Sequence, residues 1–262
     1  MNAMQRAIAR KDLRSVFLNK QMRTALIVVP LVITIFVPSV FILASHFVPD
    51  QAGDMQQLFD MLPFEVQSGS MERLVMSLMI NNVMPLFFTI IPVMASSIMA
   101  ASSFVGEKEK KTLETLLYCP LTLRQIFQAK ILASFVLSMI ISFASFTAMM
   151  VVVQAEILFL TGGLLMPDVG WLIVMLIVAP AISWLAITLI VGGSAKSQTM
   201  EESQQRAVFL VLPTILLVVG QFAGIILISA WLLLGLGALF ALIAYLISNR
   251  YMRRLTYETL LQ

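Results

Sequence analysis

The string Gly192-Gly193-Ser194-Ala195-Lys196-Ser197 is the nearest thing in this 262-residue chain to a loop that grips phosphate. Such a loop needs G-x-x-x-x-G-K-[ST], so that backbone N–H groups and the lysine converge on the phosphate oxygens. Ala195 stands where the second glycine belongs, and the string follows a long apolar run, not a strand. Phosphate transfer by this chain is set aside. His46 is the one histidine and Cys119 the one cysteine. An H-E-x-x-H zinc site, a Cys/His ligand cluster and an internal disulfide are therefore excluded, and no G-x-S-x-G nucleophile elbow occurs. No catalytic site is expected, and no metal or cofactor bound by the chain itself. What remains is mechanical chemistry: charged and apolar residues spaced to hold a lever.

The lever is the segment Gly106-Glu107-Lys108-Glu109-Lys110-Lys111-Thr112-Leu113-Glu114-Thr115-Leu116-Leu117-Tyr118-Cys119-Pro120. Gly106 can end the apolar run before it. Glu107 with Lys111, and Lys110 with Glu114, are i, i+4 pairs that support a new helix over 107–118. Leu113, Leu116 and Leu117 form one apolar patch on that helix. Pro120 limits it, and Leu121-Thr122 turns into 123–130 and the next apolar run. A helix charged on one side, apolar on the other and tethered at both ends to membrane helices has what a docking element for a partner needs.

Membrane helices are the elements that must position it. Sixty per cent of the residues are apolar and 12% charged, against about 45–50% and 25% in soluble domains. A soluble enzyme, a DNA-binding module and a secreted disulfide scaffold are all ruled out. Charge in hydrocarbon is expensive, and roughly 20 helical residues cross roughly 30 Å, so charge-free runs mark candidate spans. They cover 24–49, 74–106, 131–155, 169–195 and 207–249. Each of the first four fits one helix. The fifth, 43 residues and about 65 Å as one helix, must turn back, either at Gly220, Gln221 and Gly224 or at 228–230. Six spans follow, within one domain covering 1–262.

An even count puts both termini on one side. Segments 1–23, 105–130, 194–206 and 249–262 hold 16 of the 17 Lys and Arg residues, leaving Arg73 outside, which places them in the cytoplasm. The formal net charge of +3 reports that orientation and no nucleic-acid partner. Residues 1–23, unlike a signal peptide, carry charge throughout. Arg6, Arg10, Lys11, Arg14, Lys20 and Arg23 make them a basic anchor for anionic headgroups. No apolar stripe is expected there: Met4 and Ile8 share a side, while Leu13, Val16 and Phe17 point elsewhere.

On the other side, Asp54 as N-cap with Met55, Leu58, Phe59 and Leu62 predicts a short interfacial helix. It serves either as a lid over an exit path or, more plainly, as a connector. Polar residues within spans usually face a bundle interior or a cavity. Asn81, Asn82, Glu156 and Gln221 are accordingly the candidates for an outer gate or cavity, although Glu156 fits the headgroup level equally well; Gln154 lies beside it. Pro30, Pro38, Pro85, Pro92, Pro180 and Pro213 fall in spans and predict kinks. Eighteen methionines suit surfaces that meet varied apolar shapes.

The pattern Gly106-Glu107-Lys108-Glu109-Lys110-x-Thr112-Leu113-Glu114-x-Leu116-Leu117-x-x-Pro120, followed by Ile126 through Lys130, resembles the signature of the type-2 ATP-binding-cassette (ABC) export permeases. Lys11-Asp12-Leu13-Arg14 before the first span and Gln204-Gln205 at the opening of the fifth are similar too. Two positions depart: Lys111 stands where the family usually has Gly, and Ala129 where Gly usually precedes the Lys. The resemblance implies an all-α, six-span permease of the cell membrane whose 107–118 segment is a coupling helix. Glu107, Lys111, Thr112, Leu113, Glu114, Leu116 and Leu117 would meet a separate cytoplasmic ATPase, present in two copies and carrying the ATP and Mg. A second permease, a copy of the chain or a relative, would complete the path across the bilayer. The rivals are a secondary transporter driven by an ion gradient, which calls for charge at mid-span and paired broken helices, and a non-transporting sensor or immunity protein.

Overall fold

The structure, a computed structural model, describes residues 3–47, 76–77, 79–109, 111–112, 121–161, 164–194, 197, 199–222 and 230–254. Those residues are helical, with no strand among them. The helices are α1 (Ala3–Leu18), α2 (Lys20–Leu31), α3 (Val37–Phe47), α4 (Met84–Phe88), α5 (Ile90–Glu109), α6 (Leu123–Thr161), α7 (Val169–Ile173), α8 (Ala179–Gly193), α9 (Met200–Val208), α10 (Val211–Phe222) and α11 (Ala230–Arg254). Helix is what lipid permits, because every backbone N–H and C=O is satisfied within the segment. Among the described residues five stretches are long and apolar enough to cross a membrane: Lys20–Leu43, Met79–Glu109, Arg124–Leu160, Val169–Gly193 and Ala230–Arg250. The sixth expected crossing falls on 207–249, whose described residues include α10 and the greater part of α11. A turn at Phe209-Leu210 separates α10 from α9. The interfacial helix expected at 54–62 lies outside the described residues, as do Leu113, Glu114, Leu116 and Leu117.

The second and fourth spans form the core. Their most apolar windows are 83% and 67% buried, against 28% for the first and third and 22% for the last. α5 has the composition for a central position. Ala95, Ser96, Ser97, Ala100, Ala101, Ser102 and Ser103 are all buried, and such small side chains let α6, α8 and α9 approach its backbone, the usual basis of helix association where lipid removes the hydrophobic incentive. Gly106 serves the same end. A Cβ there would lie 2.9 Å from the Met200 sulfur, so it is a packing glycine and α5 runs straight through it to Glu109. The expected stop at Gly106 is thus displaced.

Among the described residues three π turns, Val32–Phe36, Met79–Val83 and Val174–Val178, fall in the first, second and fourth spans. Each ends two residues before a proline: Pro38, Pro85 and Pro180. A proline ring collides with the carbonyl four residues earlier and offers no N–H. Widening the preceding turn relieves both problems. Pro85 also deprives the Ile80 carbonyl of its i+5 donor, and the buried Trp171 indole Nε1–H takes it at 3.0 Å.

Candidate functional site

Both the start of α1 and the end of α11 lie where α5 ends and α6 begins: Gln5, Gln128 and Ser248 line one crevice there. This is the basic end of the bundle. α1 presents one buried face of Gln5, Ile8, Asp12 and Val16, spaced at helical intervals. A stripe therefore exists where none was expected, and half of it is polar. Ile8 packs on Ile126 and Ala129 of α6, and Gln5 donates to the Gln125 carbonyl at 3.3 Å.

On that face lies the densest charge in the described molecule. Lys130, with 2% of its side chain exposed, is 2.8 Å from Glu107 Oε2 and 3.6 Å from Asp12 Oδ2. Its ammonium also donates to the Ser103 carbonyl and sits 5.5 Å over the Phe104 ring. Ser103 Oγ donates to Asp12 Oδ2. Ser103 and Glu107 are four residues apart on α5 and so share a face. Glu107 is engaged on both oxygens, since Lys11, half out in solvent, holds Oε1 at 2.7 Å. Two acids are thus balanced by two cations, and three helices, α1, α5 and α6, are tied at one point. Burial pushes the Asp12 carboxyl above its usual range, and Glu107 adds to that; Lys130, the Ser103 hydroxyl and Lys11 pull the other way.

Glu107 therefore belongs to the membrane helix, paired with Lys11 and Lys130, and the pairing expected with Lys111 gives way to these. The end of α5 is a Schellman cap: the Thr112 N–H reaches the Glu107 carbonyl at 2.9 Å and the Lys111 N–H the Lys108 carbonyl at 3.0 Å. That motif places Lys111 at the left-handed position, where its φ is 55°. Lys111 and Thr112 are exposed. Glu109 Oε2 accepts from the Met200 N–H at 3.3 Å, linking α5 to α9.

The far end carries a different set. Asn81 takes the Asp168 N–H at 3.1 Å and donates to Ser77 Oγ at 3.4 Å. Gln154 bonds both backbone groups of Leu165. Ser39 Oγ donates to Glu156 Oε1 at 2.5 Å, while Glu156 Oε2 is buried with no partner among the described residues. Asn82 is half-buried beside Asn81. Asn81 and Glu156 are not joined: one ties the second span to the loop before the fourth, the other the third span to the first. Gln221 falls in the last turn of α10, its side chain outside the described residues.

The family model for the ABC-2 family transporter protein matches residues 6–246. The chain belongs to that family. No curated protein and no solved structure gives a match. As an ABC-2 family protein it is a multi-pass membrane protein of the permease type. Within that frame the departure at Lys111 has a conformational meaning, because the residue sits at the one non-glycine positive φ among the described residues. What sequence reasoning missed was the ion-pair role of Lys11, Asp12 and Lys130 and the hydrogen bonds that Ser103 adds to it. Its available signal was a lone acid within a basic helix and a lysine abutting an apolar run.

Proposed function

We propose that the chain is the membrane subunit of an ATP-driven exporter, its basic end in the cytoplasm, and that residues 110–122 carry motion from a separate ATPase into the spans. One observation supports this above the rest: Glu107 and Lys130, which flank that segment in sequence, are locked together at 2.8 Å in a buried pair. A force applied to a segment whose two ends are joined at the base moves α5 and α6 as a unit. Through Asp12 and Lys11 the same force reaches α1, which leads into the first span. Charge-assisted hydrogen bonds suit such a joint, being stronger and more directional than apolar contact. By the resemblance above, Leu113, Glu114, Leu116 and Leu117 meet the ATPase, which holds ATP and Mg, and a second permease completes the path.

The test is purification with the ATPase encoded beside the chain and measurement of ATP turnover in lipid. Replacing Glu114 and Leu117 together is expected to dissociate the complex or to uncouple turnover from transport. Unchanged affinity and transport would remove the coupling assignment. Cys119 is expected to resist membrane-impermeant thiol reagents added outside intact cells, and rapid labelling there would invert the orientation.

A further inference from the structure

A crevice of about 360 Å³ opens where α1, α6, α8 and α11 meet at the basic end, lined by Gln5, Gln128, Ile131, Leu132, Trp184 and Ser248. Its lining is graded along the membrane axis. Gln128 and Ser248 bring an amide and a hydroxyl close to the ends of their helices, beside Gln5, whose amide is held by the Gln125 carbonyl. Ile131 and Leu132 lie one turn deeper on α6, and Trp184 lies nine residues before the end of α8, about 13 Å in. The Trp184 ring is held edge-on to Phe135 at 5.5 Å between centroids. Gln128 is exposed and Leu132 is 37% exposed, so the crevice faces the surroundings of the bundle. Arg124, exposed, stands on the same face of α6 one turn nearer the basic end.

Apolar wall, then neutral donors, then arginine is the order of groups along a phospholipid from chain to ester to phosphate. Basic pockets between membrane helices take anionic headgroups on this principle, and the volume lies in the range of small-molecule sites. We propose that this crevice binds one anionic phospholipid of the leaflet that meets the basic end, its chain against Trp184, Ile131 and Leu132 and its phosphate at Arg124. The site stands apart from the coupling assignment, and neither depends on the other.

Trp184 reports on it. The full-length protein is reconstituted in vesicles of chain-brominated phosphatidylcholine, which quenches tryptophan on contact, and unbrominated phosphatidylglycerol is titrated in. The Trp184 signal is the difference between wild type and Trp184→Phe; that of Trp231, 82% exposed, is obtained likewise with Trp231→Phe. Relief of Trp184 quenching is expected at phosphatidylglycerol fractions at least about fivefold below those that relieve Trp231, the preference one engaged arginine supplies. Ser248→Phe, which fills the crevice, and Arg124→Gln, which leaves its shape intact, should each bring the two curves together. Coincident curves in the wild type, an unquenched Trp184, or a preference that survives Arg124→Gln would each overturn the site.

Discussion

The two ends of the bundle are fastened by different chemistry. At the basic end a lysine and two acids are buried among three helices with every charge opposed by another. Among the described residues the ties at the far end are neutral amides, Asn81 and Gln154, the Trp171 indole on the Ile80 carbonyl and one serine on Glu156, each joining a helix to a loop or to a single neighbour. A net neutral hydrogen bond contributes about 1 kcal/mol; removing one partner of a buried ion pair costs about 3–5 kcal/mol, because the charge left behind has lost its compensation. The π turns at 79–83 and 174–178 lie in the halves of the second and fourth spans nearer the far end. A molecule built this way is held more firmly at its basic end than at the opposite one, the asymmetry that the coupling proposed above calls for.

The most severe way to break the comparison is Lys130→Ala. It leaves Asp12 and Glu107 buried without their shared cation, and a loss of about 3–5 kcal/mol is expected, read as a lowered unfolding midpoint of the purified protein in detergent. A loss under about 1 kcal/mol would mean that water reaches the cluster and that the basic end is no stiffer than the far one. Trp171→Phe probes the far end. Phenylalanine keeps the edge-on packing against Phe88 but strands the Ile80 carbonyl beside Pro85, so about 1–3 kcal/mol should be lost. If Trp171→Phe proves the more damaging of the two, the ranking of the ends is reversed.

Much of this was legible in advance, and the failures have physical causes. Charge-free runs located the spans because lipid penalises charge so heavily, and the prolines marked the interruptions. The extent of α6, 39 residues where the charge-free run has 25, was not legible, since Lys130 and Glu156 sit inside the helix on partners that sequence does not reveal. Gly106 reads as a stop until Met200 is seen pressed against it. The α1 stripe escaped because Gln5 and Asp12 break its apolar pattern, yet those two residues face the partners that matter most. The 106–130 signature offered Lys111 as the partner of Glu107, because i, i+4 spacing is all that sequence shows, whereas the residue pairs with Lys11 and Lys130 across helices.

The cap of α5 sharpens the comparison in the opposite direction. An L-residue in the left-handed region is strained by roughly 1–2 kcal/mol, so Lys111→Gly should raise stability by about 1 kcal/mol despite the entropy glycine gains on unfolding. A lower unfolding midpoint for Lys111→Gly would show that the lysine makes a compensating contact and that the stiff end stores no strain there.

The smallest expected effect is a pH profile, and it separates the ends most directly because Asp12 belongs only to one. Burial raises its pKa above 3.8, so the folded state holds the proton more tightly than the unfolded chain does. The stability this gives is fully present below 3.8 and is lost as pH climbs through the raised value. Between those points mild acid should stabilise the wild type through Asp12, the reverse of what a salt-bridged carboxylate with a lowered pKa would do. Asp12→Asn, which can still accept from Ser103 but cannot titrate, should remove that component and leave the rest of the profile in place. Parallel wild-type and Asp12→Asn curves would mean that Lys130 and Lys11 compensate Asp12 fully, making the cluster a balanced ion pair throughout and the basic end insensitive to protons.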